Sequence, residues 1–352
     1  MMKRGITILH LATALLLVAC STEDAPQPKD SIRLEVVNNQ TPNTRASLFE
    51  SLDVLKAAGN FTVQAYFHEA ETGTDYTKYI DARVNYFADA EGQKDENGNL
   101  RETWRFFDGT NYYTSYWPNN GYLDFLAYMP YDLTGCNYID KTSIGYTSSG
   151  VTFNAALPAS SQNEETVSEF IYALSKNQQK DTNSGRVKLQ FVHPFAVVYF
   201  KLAVGSYRLK MKSLAFSNIK LGGSYAGSSD TTSDSPYGTW STNDATANQT
   251  FSIGKKIPED VNYNAVFAGP FLVIPQDIQT VTLAVDAQRI DSNQEPYDKS
   301  GIAIHTEDVK AWEPGKRYTY TLKLGDGYSE MLLDVAVEEW DDVEYKNIID
   351  VE

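Results

Sequence analysis

Two cysteines, four histidines and several closely spaced carboxylates are the side chains here with reactive potential. Each kind of chemistry sets a condition on spacing. A zinc site needs Cys or His ligands a few positions apart, whereas His10, His68, His193 and His305 are widely scattered. A lone strand histidine such as His193 is expected to be a hydrogen-bonded core residue. Asp95-Glu96-Asn97-Gly98-Asn99 starts like a calcium loop, but Leu100 stands where the turn glycine belongs and Phe106 where the closing glutamate belongs. It reads as a hairpin tip. Ser217-Asn218-Ile219-Lys220 matches Ser-x-x-Lys but sits in a strand-like run without a companion motif. Glu338-Glu339 and Asp341-Asp342 are adjacent pairs; on a strand, neighbours point to opposite faces and do not act on one bond, so these are expected to be solvated. There is no Gly-x-Ser-x-Gly, phosphate loop or dinucleotide fingerprint. The expectation is a protein with no catalytic residues, no metal and no cofactor, and not an enzyme.

Cys20 is the exception. Lys3 and Arg4 form a positive start, and residues 5–19 are an apolar run of 15, short of the roughly 20 that a membrane-spanning helix needs. Residues 1–19 therefore read as a signal peptide. The run ends Leu17-Val18-Ala19-Cys20, which resembles the lipobox of bacterial lipoproteins: small residues fit the signal-peptidase pocket, and the Cys20 thiol receives diacylglycerol. Acyl chains on one cysteine hold a protein to a bilayer, each buried CH₂ adding roughly 0.8 kcal/mol. The adjoining Ser21-Thr22-Glu23-Asp24 resembles the acidic signal that sends Bacteroidetes lipoproteins to the outer face of the outer membrane; an ordinary acidic tether has the same composition. Residues 21–31 read as a flexible linker. With Cys20 acylated, Cys136 has no internal disulfide partner and is expected to be a small buried apolar residue.

The elements that must carry any site are strands. Removing the first 45 of 352 residues leaves 307, about two domains at roughly 150 each. Apolar residues alternate with period two in Phe61-Thr62-Val63-Gln64-Ala65-Tyr66-Phe67, Val187-Lys188-Leu189-Gln190-Phe191, Val281-Thr282-Leu283-Ala284-Val285 and Tyr318-Thr319-Tyr320-Thr321-Leu322-Lys323-Leu324, and partly in residues 197–202. Asn97-Gly98, Asn119-Asn120-Gly121, Gly222-Gly223, Pro314-Gly315 and Gly325-Asp326-Gly327 mark turns. Residues 47–58 and 164–176 are expected as single helices, too few for a parallel βαβ sheet. The Gly/Ser/Thr/Asp-rich run 222–238 is expected as an exposed loop, and residues 178–185 as the linker between domains. The predicted architecture is all-β: a signal peptide 1–19, a lipidated linker and pro-segment 20–45, an N-terminal sandwich 46–184 and a C-terminal sandwich 185–352. The formal charge of −16 becomes −18 once Lys3 and Arg4 leave, which repels a phosphate backbone and excludes nucleic acid as a partner.

One segment is strongly aromatic. From Trp104 to Tyr128, ten of 25 residues are aromatic: Trp104, Phe106, Phe107, Tyr112, Tyr113, Tyr116, Trp117, Tyr122, Phe125 and Tyr128. Such rings stack on sugars, and they equally fill a sandwich core. The core is the expected destination.

A set of motifs carries a family resemblance. Tyr116-Trp117-Pro118, Leu123-Asp124-Phe125-Leu126-Ala127-Tyr128-Met129-Pro130, Val187-Lys188-Leu189-Gln190-Phe191-Val192-His193-Pro194-Phe195-Ala196, Ile274-Pro275-Gln276 and Trp312-Glu313-Pro314-Gly315-Lys316-Arg317-Tyr318-Thr319-Tyr320-Thr321-Leu322 occur in the order of the fimbrillin family of Bacteroidetes, with Thr44-Arg45-Ala46 upstream. The chain resembles that family over nearly its whole length. It departs after His193, where the family usually has a small or aliphatic residue and a lysine and this chain has Pro194 and Val197-Val198. The resemblance implies two tandem transthyretin-like, Greek-key sandwiches and a subunit of type V pili. It further implies a lipoprotein precursor at the cell outer membrane, an arginine-specific cut between Arg45 and Ala46, and a groove that accepts a strand from another subunit.

The residues themselves are consistent with such an exchange. Ile32-Arg33-Leu34-Glu35-Val36-Val37 alternates just upstream of Arg45, so it is placed to occupy a groove until cleavage removes it. Near the other end, Met331, Leu333, Val335 and Val337 share one face of a strand able to fill a groove, or able to serve as an edge strand of its own sheet. These features fit two functions. One is a fimbrial structural subunit, partnered by other fimbrial subunits and located in the fimbrium after maturation. The other is a monomeric or pilus-anchoring surface lipoprotein that keeps its lipid and binds a glycan or host protein.

Overall fold

The alternating patterns become strands, and their register decides which residues meet. The computed structural model describes residues 31–37, 52–88, 102–159, 168–203, 209–228, 231, 236–253, 256–257, 266–289, 296–324 and 331–340. The first stretch is β1 (Arg33–Val37), followed by helix α1 (Leu52–Ala58), β2 (Asn60–His68), β3 (Thr77–Ala88), β4 (Glu102–Phe107), β5 (Tyr112–Tyr113) and β6 (Tyr122–Met129). Next come β7 (Gly145–Thr147), β8 (Gly150–Ala156), β9 (Ile171–Gln178), β10 (Arg186–Gln190), β11 (Ala196–Ala203), β12 (Leu209–Ile219), β13 (Gly222–Ala226) and β14 (Thr239–Thr242). The chain continues through β15 (Ala247–Ser252), β16 (Lys256–Ile257), β17 (Val266–Val273), β18 (Thr282–Arg289), β19 (Pro296–Ala303), β20 (Lys316–Leu324) and β21 (Met331–Glu339). The all-β sandwich reading holds.

The first sheet runs β10-β1-β4-β3-β2-β6-β9, with β5 on β4. Its ends are brought together by reciprocal main-chain bonds between Tyr172 and Val192, at 3.2 and 2.8 Å. Inward residues of this curled sheet, among them Leu34, Phe61, Val63, Val84, Phe125 and Val187, form one core. A second core lies between β11, β17 and β20 on one side and β12, β15 and β18 on the other, with Phe200, Phe216, Phe271, Trp312 and Tyr320 at its centre. A third core joins the two: Tyr128 and Tyr172 from the outer face of the first sheet meet Phe153 and Tyr225 from the sheet β14-β13-β8-β7, together with Val197 and Tyr199 from β11. Strand alternation makes this possible, since Val197 and Tyr199 point one way and Val198 and Phe200 the other. In β12 a register shift between Met211 and Ser213 lets Met211 and Leu214 both face the core although they differ in parity.

Two expectations change. Residues 171–176 are not helical: they belong to β9, with Ile171, Tyr172, Ala173, Leu174 and Ser175 all buried, and a segment covered on both faces shows no period of two. Residues 164–167 lie outside the described part. The exposed loop at 222–238 begins instead as a strand, because Gly222 and Gly223 allow β13 to lie close against its neighbours; a Cβ on Gly223 would sit 2.7 Å from the Ser241 carbonyl. Tyr225 and Thr231 in the same run are buried. The helix expected at 47–58 is present as α1, its first residues lying outside the described part. Around the linker at 178–185, strands from either side mix: β10 joins the first sheet, while β13 pairs with β8 and carries β14 on its other side.

Candidate functional site

The segment upstream of Arg45 is built into the first sheet. β1 runs parallel to β10, Arg33 opposite Arg186 through Val37 opposite Gln190, and Leu34 is opposite Trp104 of antiparallel β4. Ile32, Leu34 and Val36 are 5%, 8% and 7% exposed, and the Ile32 N–H donates to the Ser115 carbonyl at 2.8 Å. β1 therefore sits between two strands that do not otherwise pair with each other. Cys20, Arg45 and Ala46 lie outside the described residues.

β21, the candidate donor strand, is the edge of the sheet β17-β11-β20-β21 and pairs antiparallel with β20 from Met331 opposite Leu324 to Glu339 opposite Lys316. Leu333 is the main-chain register partner of Leu322. Val335 packs half-buried against the C-terminal core, and Val337 is 42% exposed. From Asp334 to Glu339 no side chain is buried. The main chain of the strand pairs along β20, and the residue just beyond its end is buried. That residue, Trp340, is fully buried, its ring stacked on His193 at 4.5 Å and 11°, and its main-chain N–H donates to the Gly315 carbonyl at 2.8 Å. Glu169 contacts the same imidazole through Nδ1.

The histidines and polar motif residues hold the fold together. His68 is buried with Nδ1 on the Ala70 carbonyl at 2.7 Å and Nε2 on Asp124 at 3.2 Å. Asp124 also accepts from the Asn177 N–H at 2.6 Å and from the Tyr146 hydroxyl. Burial, reinforced by that carboxylate, pushes the Tyr146 phenol well above its ordinary range. Gln276 of the Ile274-Pro275-Gln276 motif bridges both main-chain groups of Lys220 at 2.8 and 2.9 Å and pairs through its own backbone with Trp312. The Trp312 indole donates to the Tyr320 hydroxyl at 3.0 Å. Pro194, one of the departures from the family pattern, accepts the Trp240 indole N–H at 2.6 Å. Cys136 is a free, buried thiol, and burial pushes its pKa up to about 11. Among the described residues no group of His, Cys, Asp or Glu is arranged to hold a metal. The segment 95–99 lies outside them.

The aromatic run divides. Phe106, Trp117, Phe125 and Tyr128 are buried as expected of a core, whereas Tyr112, Tyr113 and Tyr116 are 44%, 40% and 48% exposed. Tyr79, also exposed, donates its hydroxyl to the Tyr116 carbonyl at 3.0 Å. Sequence reasoning does not single out the residues beside them on the outer face of β3 and β4, where Arg83 and Arg105 lie over aromatic rings. The signal is present only as even-numbered spacing, Arg105 to Phe107 on one strand and Arg83 to Phe87 on the other.

The described protein is all-β, residues Arg33–Val37 upstream of Arg45 form an inserted strand of the first sheet, and the last described strand is a sheet edge. The chain belongs to the fimbrillin-like family, whose profile matches residues 29–340. That membership supports a fimbrial subunit role at the cell surface. The fold is similar to that of a fimbrial protein of Bacteroides vulgatus, with a TM-score of 0.56 and 14% identity over 88% of this chain and 99% of that one. Candidate cell adhesion proteins of Bacteroides uniformis and Bacteroides ovatus both align with a TM-score of 0.50, at 14% and 16% identity, over 88% of this chain and 98% and 96% of theirs. No curated protein sequence matches the chain significantly.

Proposed function

We infer that the protein is a structural subunit of a cell-surface fimbria that reaches the outer membrane as a lipoprotein through Cys20, is cut between Arg45 and Ala46, and polymerises by strand exchange. The observation that supports this reading is the position of β1. As part of the same chain it fills the gap between β10 and β4 at a high effective concentration; once the chain is cut, it is held only by its own contacts and can be replaced. The vacated gap needs a strand with aliphatic side chains at every second position, as in Ile32, Leu34 and Val36. Met331, Leu333, Val335 and Val337 have that spacing, and leaving β20 exposes few side chains that were buried between Asp334 and Glu339. The first sheet then serves as acceptor through β4 and β10, and β21 as donor.

Electron microscopy and a sizing column after limited trypsin treatment test the reading. The expected product is a stable core beginning at Ala46 that forms fibres, because a proline-containing approach leaves Arg45 accessible. Val335→Asp with Val337→Asp should be cut equally well and stay monomeric. If that variant polymerises like the parent, the donor assignment is wrong. The exposed tyrosines favour the second reading, a monomeric or pilus-anchoring lipoprotein that keeps its lipid and binds a glycan or host protein; it predicts a chain that stays intact at Arg45 on the cell and never forms fibres.

A further inference from the structure

The outer face of β3, β4 and β5 carries interleaved rings and guanidinium groups. Alternation puts Arg83 and Phe87 on the side of β3 opposite buried Val84, and Arg105 and Phe107 on the side of β4 opposite buried Phe106. Register sets Phe107 between Arg83 and Tyr112. The Arg83 guanidinium is 5.6 Å from the Phe107 centroid and 4.8 Å from that of Tyr131, and Arg105 is 4.4 Å from that of Phe87. Tyr112 packs its ring 5.2 Å from Phe107 and 5.8 Å from Phe87 while remaining 44% exposed. On the same face, Arg83 Nε and Asn85 Oδ1 are buried and have no hydrogen-bond partner among the described residues. No carboxylate among those residues forms an ion pair with Arg83. The nearby acids Asp81 and Asp132 are held by Lys78 at 2.9 Å and by Lys141.

We propose that this face binds an acidic glycan, with pyranose rings stacked on Tyr112 and its neighbouring rings, the glycan's carboxylate or sulfate groups taken by Arg83, and the positive charge of Arg105 adding to the local attraction. A guanidinium lying over a ring keeps its in-plane N–H donors directed outward, where they match a planar carboxylate or a sulfate edge in bidentate fashion. The chain is strongly acidic overall, with a formal charge of −16, so a polyanion is repelled over most of the surface and accepted where guanidinium groups gather. The flat aromatic surface decides between an acidic sugar and an acidic peptide: extended aspartate or glutamate side chains satisfy the arginines and leave the ring faces uncovered. The inference gives a ligand class to the binding role of the second reading and does not depend on strand exchange.

Titration calorimetry on the purified full chain tests it, with a galacturonate oligomer, a chondroitin sulfate oligomer, neutral maltohexaose and a poly-glutamate peptide as probes. At least one acidic oligosaccharide should bind, about tenfold or more tighter than maltohexaose or the peptide, and more weakly as ionic strength rises. The galacturonate and chondroitin arms separate carboxylate from sulfate recognition. Tyr112→Ser, which alters an exposed side chain, and Arg105→Gln should each weaken binding about fivefold or more without changing the melting temperature. Absence of binding to both acidic oligosaccharides, equal binding of maltohexaose or the peptide, or unchanged binding in both variants overturns the proposal. Trypsin processing and fibre formation should be the same in both variants as in the parent, so failure of the strand-exchange reading is scored separately.

Discussion

Leu34→Ala tests the central feature of the fold, that β1 is an inserted strand. Leu34 is 8% exposed, paired with Val187 on one side and Trp104 on the other, and part of the core with Phe61, Val84 and Phe125. Strands on both sides restrict collapse around the missing atoms, so the substitution should cost about 3 kcal/mol, within the roughly 2 to 5 kcal/mol range of buried Leu truncations. The magnitude has a functional reading. Ile32, Leu34 and Val36 together, at roughly 1.5 to 3 kcal/mol each, contribute an amount similar to a domain's net stability of roughly 5 to 15 kcal/mol. Removing the strand without a replacement would therefore cost about as much as the whole net stability of a domain. The assay is urea denaturation followed by tryptophan fluorescence, since Trp104 lies against the substituted position and reports on it directly. Arg33→Ala, at an exposed position of the same strand, should change stability by less than about 0.5 kcal/mol. If Leu34→Ala is as mild as Arg33→Ala, β1 does not occupy the gap and the strand-exchange argument loses its basis.

The remaining predictions concern the anchor, the far end and the buried thiol. Cys20→Ser should abolish metabolic palmitate labelling and move the protein out of the membrane fraction; unchanged labelling removes the lipoprotein reading. Trp340→Ala should cost about 3 to 5 kcal/mol and remove hydrogen-exchange protection from β21 before β11, because that ring on His193 is a buried anchor next to a stretch, Asp334 to Glu339, without a buried side chain. Equal protection in parent and variant would show that β21 is held along its length. Burial raises the Cys136 thiol from 9.0 to about 11, so its contribution is complete below pH 9 and is lost as the pH climbs towards 11. That loss amounts to roughly 3 kcal/mol, and Cys136→Ala should flatten the corresponding part of the alkaline stability profile. The Tyr66 phenol, pushed by burial up to about 12, adds in the same direction.

The sequence by itself determined the class of fold and the presence of strands around residues 32–37 and 331–337. Period-two alternation is a local property, and it survives where one face of a strand is buried, as in β1 and β10. It fails where both faces are covered, which is why β9 reads as helical from its residues alone, and where glycine allows close strand contact, which is why β13 reads as loop. The motif order is also local, and it points to the family without any knowledge of strand pairing. Only the tertiary structure decided the partners. The parallel docking of β1 on β10 joins residues far apart in the chain, and nothing in either segment specifies the other beyond aliphatic spacing. The stack of Trp340 on His193 and the meeting of Arg83, Phe107 and Tyr112 arise because sheet register brings separate strands to the same level. Composition tells how many aromatic rings a segment must place; whether a ring such as Phe106 fills the core or one such as Tyr112 faces solvent depends on the face its strand turns inward, and that is set by the neighbours with which the strand pairs.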